Sequence, residues 1–201
     1  MKSAEKPYGN LRAMVLSLLV TLAACQFAPQ QTGAANGSKD REVPAAAQAT
    51  FAQALTAQRA QQWTEAERLH RQLAEKYPQL SGPHFNLALI YAQTNRAQLA
   101  EESFRRALQT NPENLDASDQ YAIWLRSQAR FAEAETQYRQ TLARDPTRTQ
   151  THLDLAILYD LYMGKLPAAL EHYQRHLELS GNEESPVHGW VLDLQRRLSA
   201  G

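Results

Sequence analysis

Histidines four residues apart on a helix put two imidazoles on one face, the arrangement with which helices grip zinc. His172 and His176 have that spacing, but a metal-dependent hydrolase also needs glutamate directly after the first histidine, and Tyr173 stands there. A metal-dependent enzyme at His172 and His176 is therefore the weakest of the readings open to this chain. The other histidines offer less. His70, His84 and His152 have no acid and nucleophile at the spacings of a catalytic triad. Gly33 and Gly37 do not form a phosphate loop, and the remaining glycines are scattered turn residues. Cys25 is the only thiol, so no disulfide forms within the chain. The chain is expected to be no enzyme and to hold no metal and no cofactor, so its function must lie in a surface.

The elements that present such a surface are written in a fixed interval. Ala66, Ala100 and Ala134 lie 34 residues apart, as do Pro78, Pro112 and Pro146. Twelve residues before each alanine stands another, Ala54, Ala88 and Ala122, and small residues at both places let two helices cross closely. A fourth copy carries Ala156 and Ala169, thirteen apart, which predicts one extra residue in the loop around Met163 to Lys165. Gly181 takes the place of the proline there. His176 falls where the second copy has Ala107, so it is expected to pack against a neighbour rather than bind metal. A small residue and a helix stopper repeated on one beat specify stacked helical hairpins, a solenoid.

This pattern resembles the tetratricopeptide repeat. The second copy supplies Ala88, Tyr91, Ala100, Phe104, Ala107 and Pro112, and the third Ala122, Phe131, Ala134, Tyr138 and Pro146. The first departs with His70 at an aromatic position and Leu73 at a small one, and no copy has the family's Leu-Gly pair. The resemblance implies an all-α, right-handed superhelical solenoid of four hairpins at about residues 47–80, 81–114, 115–148 and 149–182, within 45–182. Residues 183–201 read as a capping helix, with Ser185 as N-cap, Pro186 at the first position, and Val187, Trp190, Val191, Leu194 and Leu198 as its apolar stripe. Nine helices in one domain are expected.

In the resembled family the first helix of each hairpin lines a concave groove that takes a peptide or protein. Carried over position by position, the groove residues are Phe51, Leu55, Gln58 and Arg59; Phe85, Asn86, Leu89 and Gln93; Asp116, Asp119, Gln120, Ile123 and Arg126; and Gln150, Leu153, Asp154, Ile157 and Asp160. Phe51 and Phe85 are large enough either to anchor a partner or to fill the gap between adjacent first helices. Trp63 and Trp124 read as packing residues. The Asn and Lys set with which chaperone-binding members hold a C-terminal carboxylate is not matched.

The front of the chain carries a different signal. Lys2, Lys6 and Arg12 precede the apolar run from Ala13 to Ala24, twelve residues that rise only about 18 Å as a helix and cannot span a bilayer core of roughly 30 Å. That is the layout of an export signal, residues 1–24. Leu22-Ala23-Ala24-Cys25 resembles the bacterial lipobox, which implies diacylglycerol on the Cys25 sulfur, cleavage before it, and an acyl chain such as palmitate on the new amine. Gln26 after the cysteine implies sorting to the outer membrane of a Gram-negative cell. Two chains anchor firmly, at about 0.8 kcal/mol per buried methylene. Residues 25–44 then read as lipidated cysteine and flexible tether, too polar to bury a core and reaching roughly 25 Å.

Charge narrows the partners. The chain balances 21 basic against 21 acidic residues, and without residues 1–24 it carries 18 against 20. Neither balance attracts nucleic acid. What remains is a lipid-anchored scaffold, facing the periplasm from the inner leaflet of the outer membrane, that binds an envelope protein or peptide and supports a membrane-associated complex. In anchor plus repeats the chain is similar to type IV pilus pilotins and to subunits of TonB-type systems. An adaptor recruiting peptidoglycan enzymes through the same groove is the alternative. Oligomeric state is not written in these features.

Overall fold

The computed structural model describes residues 43–182 and 184–200. The signal, Cys25 and nearly all of the tether lie outside the described residues. Nine α-helices follow in order: α1 (Ala45–Arg59), α2 (Trp63–Lys76), α3 (Ser81–Gln93), α4 (Ala97–Thr110), α5 (Leu115–Ser127), α6 (Phe131–Arg144), α7 (Thr149–Ile157), α8 (Leu166–Ser180) and α9 (Val187–Ser199). Odd and even helices up to α8 pair as four antiparallel hairpins, and each hairpin packs on the next. The result is an all-α solenoid.

The eight interval alanines explain the close pairing. Ala54, Ala66, Ala88, Ala100, Ala122, Ala134, Ala156 and Ala169 are all 0% exposed, so each helix pair crosses where neither side chain extends beyond a methyl group. Around them runs one core from α3 to α9, with Phe104 stacked on Tyr121 at 5.3 Å and Tyr121 on Trp124 at 6.0 Å. A smaller cluster of Ala57, Ala66 and Ile90, flanked by Trp63, serves the first hairpin. Helices α2, α4 and α6 end at Lys76, Thr110 and Arg144, two residues before their prolines, because the residue directly ahead of each proline, Tyr77, Asn111 or Asp145, is forced out of helical backbone. Asn114 caps α5 by accepting from the Ala117 N–H at 3.1 Å.

Each hairpin turn contains one residue of positive φ: Gln61 (57°), Asn95 (57°), Ala129 (59°) and Gly164 (65°). Their steps of 34, 34 and 35 residues reproduce the interval and its one irregularity. The extra residue of the fourth hairpin does not lengthen the turn, as the sequence reading expected. It widens the end of α7 into a π-helical segment, Leu158–Met163, which lets the helix take in one more residue without rotating its buried face out of register. Leu158 and Tyr159 stay buried while Leu161 and Tyr162 emerge 46% and 40% exposed.

The hairpins are also joined by charge on the same beat. Glu67, Glu101 and Glu135, each directly after its buried alanine, bind Arg96 (2.7 Å), Arg130 (2.7 Å) and Lys165 (2.6 Å). Each also accepts from a tyrosine hydroxyl: Tyr91 (3.2 Å), Tyr121 (3.2 Å) and Tyr159 (2.9 Å). These partners hold all three carboxyls below the usual glutamate range against the opposing effect of burial.

Helix α9 closes the stack against α8 with Val187, Val191 and Leu194 buried. Ser185 Oγ accepts from the Val187 N–H at 3.3 Å. Trp190 and Leu198 depart from the expected buried stripe, each 37% exposed. Trp190 keeps one edge on Tyr173, 5.7 Å between ring centres.

Candidate binding groove

The surface formed by α1, α3, α5 and α7 is built from equivalent positions one interval apart, so it can be followed row by row. One row reads Phe51, Phe85, Asp119 and Leu153; the next Asn86, Gln120 and Asp154; a third Leu55, Leu89, Ile123 and Ile157. In this way one stretch of helix is copied into a wall whose chemistry changes from hairpin to hairpin.

The first two hairpins make the apolar half. Phe51 is half-buried, its ring meeting the His70 ring edge-on at 5.4 Å and approaching Gly82 of the next hairpin. It fills the gap between adjacent first helices while keeping one face open. Phe85, expected as an anchor or a filler, is buried against Phe104 at 6.5 Å and presents almost nothing to a ligand. Leu89 is likewise buried. Asn86 is spent internally, its Nδ2 donating to the Gly82 carbonyl at 2.9 Å. Leu55 is half-buried, and Arg59 and Gln93 are exposed at the far edge.

The third and fourth hairpins make the charged half. Arg126 and Asp154 form a buried pair at 3.5 Å, and Gln150 Nε2 donates to the other oxygen of Asp154 at 3.1 Å. Arg126 is therefore not free to take a peptide carboxylate. Asp119 Oδ2 accepts from Arg148 Nε (2.9 Å) and Thr151 Oγ1 (2.8 Å), while Arg148 also reaches Asp116 at 2.7 Å. Burial pushes the Asp119 carboxyl up to about 6 despite Arg148, and burial likewise raises Asp154. Asp160 is held by Arg197 of α9 at 2.8 Å. Gln120, Ile123 and Leu153 are half-buried. Arg148 and Thr151 were not among the residues singled out from the sequence. The signal that could have found Arg148 is its separation from Asp119, 29 residues, the same step that separates Glu67 from Arg96 and Glu101 from Arg130.

The two histidines with metal-ligand spacing turn to different partners. His176 Nδ1 meets the Thr149 carbonyl at 2.9 Å. His172 Nδ1 faces His152 Nδ1 at 2.8 Å, and His152 Nε2 lies 3.1 Å from the Pro146 carbonyl. A carbonyl only accepts, so Nε2 of His152 carries the proton and, in the neutral pair, His172 donates. Both rings are structural ties between α7 and α8, and the described residues hold no group of three or more side chains arranged for a metal.

On the side of the even helices, a shallow cavity of about 410 Å³ lies between α4 and α6, with Tyr121 and Leu125 at its floor. No helix among the described residues is long and apolar enough to cross a membrane.

Comparison with known proteins places this geometry. The family model described as tetratricopeptide repeat matches residues 51–114 and 124–184. The type IV pilus assembly protein PilF of Pseudomonas aeruginosa is 28% identical over 120 residues, 57% of this chain and 46% of that protein. The protein O-mannosyl-transferase Tmtc2 of Drosophila melanogaster is 40% identical over 73 residues, 36% of this chain and 8% of its own length. The chain thus matches less than half the length of either curated relative. Among solved structures, that of P. aeruginosa PilF superposes with a TM-score of 0.67 at 24% identity, covering 77% of this chain and 70% of that one. MamA of Desulfovibrio magneticus RS-1 gives 0.65 at 19% identity over 78% and 87%. YrrB, described as a TPR protein with an unusual peptide-binding site, gives 0.57 at 17% over 69% and 71%.

Proposed function

From the premise that the chain belongs to the tetratricopeptide repeat family, protein-interaction scaffolds rather than catalysts, we propose that it is a lipid-anchored scaffold of a bacterial envelope, holding an envelope protein or peptide in its groove and supporting assembly of a pilus or secretion complex. The observation that carries the reading is the wall of α1, α3, α5 and α7, apolar at one end and charged at the other, built on one stack of hairpins. Likeness to a type IV pilus assembly protein supports the choice of machine over a TonB-type one. Anchorage rests on the sequence around Cys25: acyl chains there would hold the solenoid within tether reach of the periplasmic face of the outer membrane.

In-cell photo-crosslinking tests both halves of the proposal. A photoreactive residue at Leu55 or Ile123, both half-buried on the wall, is expected to capture one protein of an envelope assembly. The same residue at exposed Thr136 on α6 serves as control. Capture only from Thr136 would overturn the groove reading, and failure of Cys25 to incorporate labelled fatty acid would overturn the anchor.

A further inference from the structure

We propose that the third and fourth hairpins form a seat for one basic side chain of the bound partner, centred on Asp119. The inference rests on the groove reading above and adds the chemistry of what the groove takes.

The charged half of the wall has more carboxylates than cations to answer them. Arg148 is divided between Asp116 (2.7 Å) and Asp119 (2.9 Å), Arg197 between Asp160 (2.8 Å) and Asp193 (3.7 Å), and Arg126 holds Asp154 at 3.5 Å. Four carboxylates of this half, Asp116, Asp119, Asp154 and Asp160, share three guanidiniums, one of which is also drawn to Asp193 of α9. The deficit falls on Asp119, only 9% exposed, whose Oδ1 has no partner while its Oδ2 has two. A buried carboxylate oxygen left unpaired is costly, and a ligand that supplies a donor removes that cost.

A second group points to the same place. The Tyr138 hydroxyl of α6 is fully buried, has no hydrogen-bond partner, and lies within electrostatic reach of Asp154, Arg126 and Asp119. Gln120 Oε1, beside Asp119 on α5, is also unpartnered. Asp119 Oδ1 and Gln120 Oε1 can only accept, so this part of the wall lacks donors, and the Tyr138 hydroxyl, which can donate or accept, answers neither of them. A lysine or arginine side chain brings donors and positive charge together, whereas an acidic side chain would meet like charge. The raised Asp119 carboxyl agrees, since a buried acid lacking a cation titrates high and a cation brings it down.

The opposite end of the wall, around Phe51 and Leu55, is apolar. With first helices roughly 10 Å apart, the two ends are about 20 Å distant, or some six residues of extended chain. The partner segment is thus expected to carry an apolar residue and a basic one at about that separation.

The test uses the full chain and two small probes of equal shape, N-butylguanidinium and neutral N-butylurea, read through the carboxyl carbon signal of Asp119. Butylguanidinium is expected to shift that signal saturably and to lower its titration midpoint by about one unit, with butylurea doing neither. An equal response to both probes, or none to butylguanidinium, overturns the seat. A second measurement needs no variant that could misfold. The segment captured by crosslinking from Leu55 is synthesised with its basic residues intact and with each replaced by citrulline or glutamine, and the replaced form should bind about tenfold more weakly. Equal binding would remove the seat and leave the groove standing. Absence of any capture would remove the groove, and the butylguanidinium titration would then decide the seat alone.

Discussion

His70 shows what a single departure from a repeat does. Equivalent positions hold Phe104, Tyr138 and Tyr173, all buried rings, and His70 is as deeply buried with neither nitrogen hydrogen-bonded. Burial pulls it down to about 4 from an ordinary 6.5. The unfolded chain therefore takes up a proton near pH 6.5 that the folded chain refuses until about 4, and stability is lost as pH falls through that window, by roughly 3 kcal/mol in total. Replacing His70 by Phe is expected to stabilise at pH 7.5 by about 1–3 kcal/mol, since two orphaned polar atoms disappear. The gap between variant and parent should widen on acidification, which urea melts at pH 7.5 and 4.5 would show. A constant gap would mean His70 is not held neutral by burial. Asp119 works in the opposite sense, its charged form costing stability above about pH 6, and that contribution is common to both proteins. Ala129 is a second local strain, a non-glycine residue at φ 59° where the fourth hairpin uses Gly164. Left-handed backbone costs alanine about 1–2 kcal/mol, and glycine loosens the unfolded chain by about 0.5–1 kcal/mol. Ala129→Gly is therefore expected to gain about 0.5 kcal/mol in chemical denaturation, and Gly164→Ala to lose a similar amount.

Between elements, the strongest specification comes from pairs that no single helix contains. Glu101 on α4 is gripped by Arg130 through both carboxylate oxygens, at 2.7 and 2.9 Å, and by the Tyr121 hydroxyl of α5. Glu101→Gln keeps the shape and removes the charge, so about 1 kcal/mol should be lost in low salt and less in 0.5 M salt, where screening has already weakened the parent. A loss independent of salt would show that packing rather than charge joins these hairpins. The hairpins themselves were legible in the sequence because the residues that set them, alanine at the crossings and proline after the helices, recur by type at one interval. The rungs from Glu67, Glu101 and Glu135 to Arg96, Arg130 and Lys165 recur too, yet they connect different helices and so leave no mark in helical periodicity. The π-helical segment was legible only as one surplus residue. Whether a surplus residue lengthens a turn or widens a helix depends on whether Leu158 and Tyr159 can stay buried, which is settled by packing against α6 and α8. Most wall residues could be placed on the right helices, but not the burial of Phe85, Leu89 and Asn86, because the depth of a side chain depends on its neighbours one interval away.

For the molecule as a whole, each hairpin touches only its neighbours, so damage should spread along the stack by adjacency. Ala134 is central and 0% exposed, opposite Ala122 in the same hairpin. Ala134→Leu has no void to enter, and overpacking should cost about 1–3 kcal/mol. In a compact globule that loss would be shared by every element. In this solenoid, hydrogen exchange should instead rise in α5 and α6, then in α3, α4, α7 and α8, and least in α1, α2 and α9 at the ends. The gradient bears on function as well, because the charged half of the wall lies on α5 and α7 and the apolar half on α1 and α3. A partner held at both ends bridges the damaged hairpin, and by binding only the folded stack it should restore stability in proportion to its concentration. Uniform exchange across all nine helices, with or without partner, would mean that the stack unfolds as one unit and that the linear account of it is wrong.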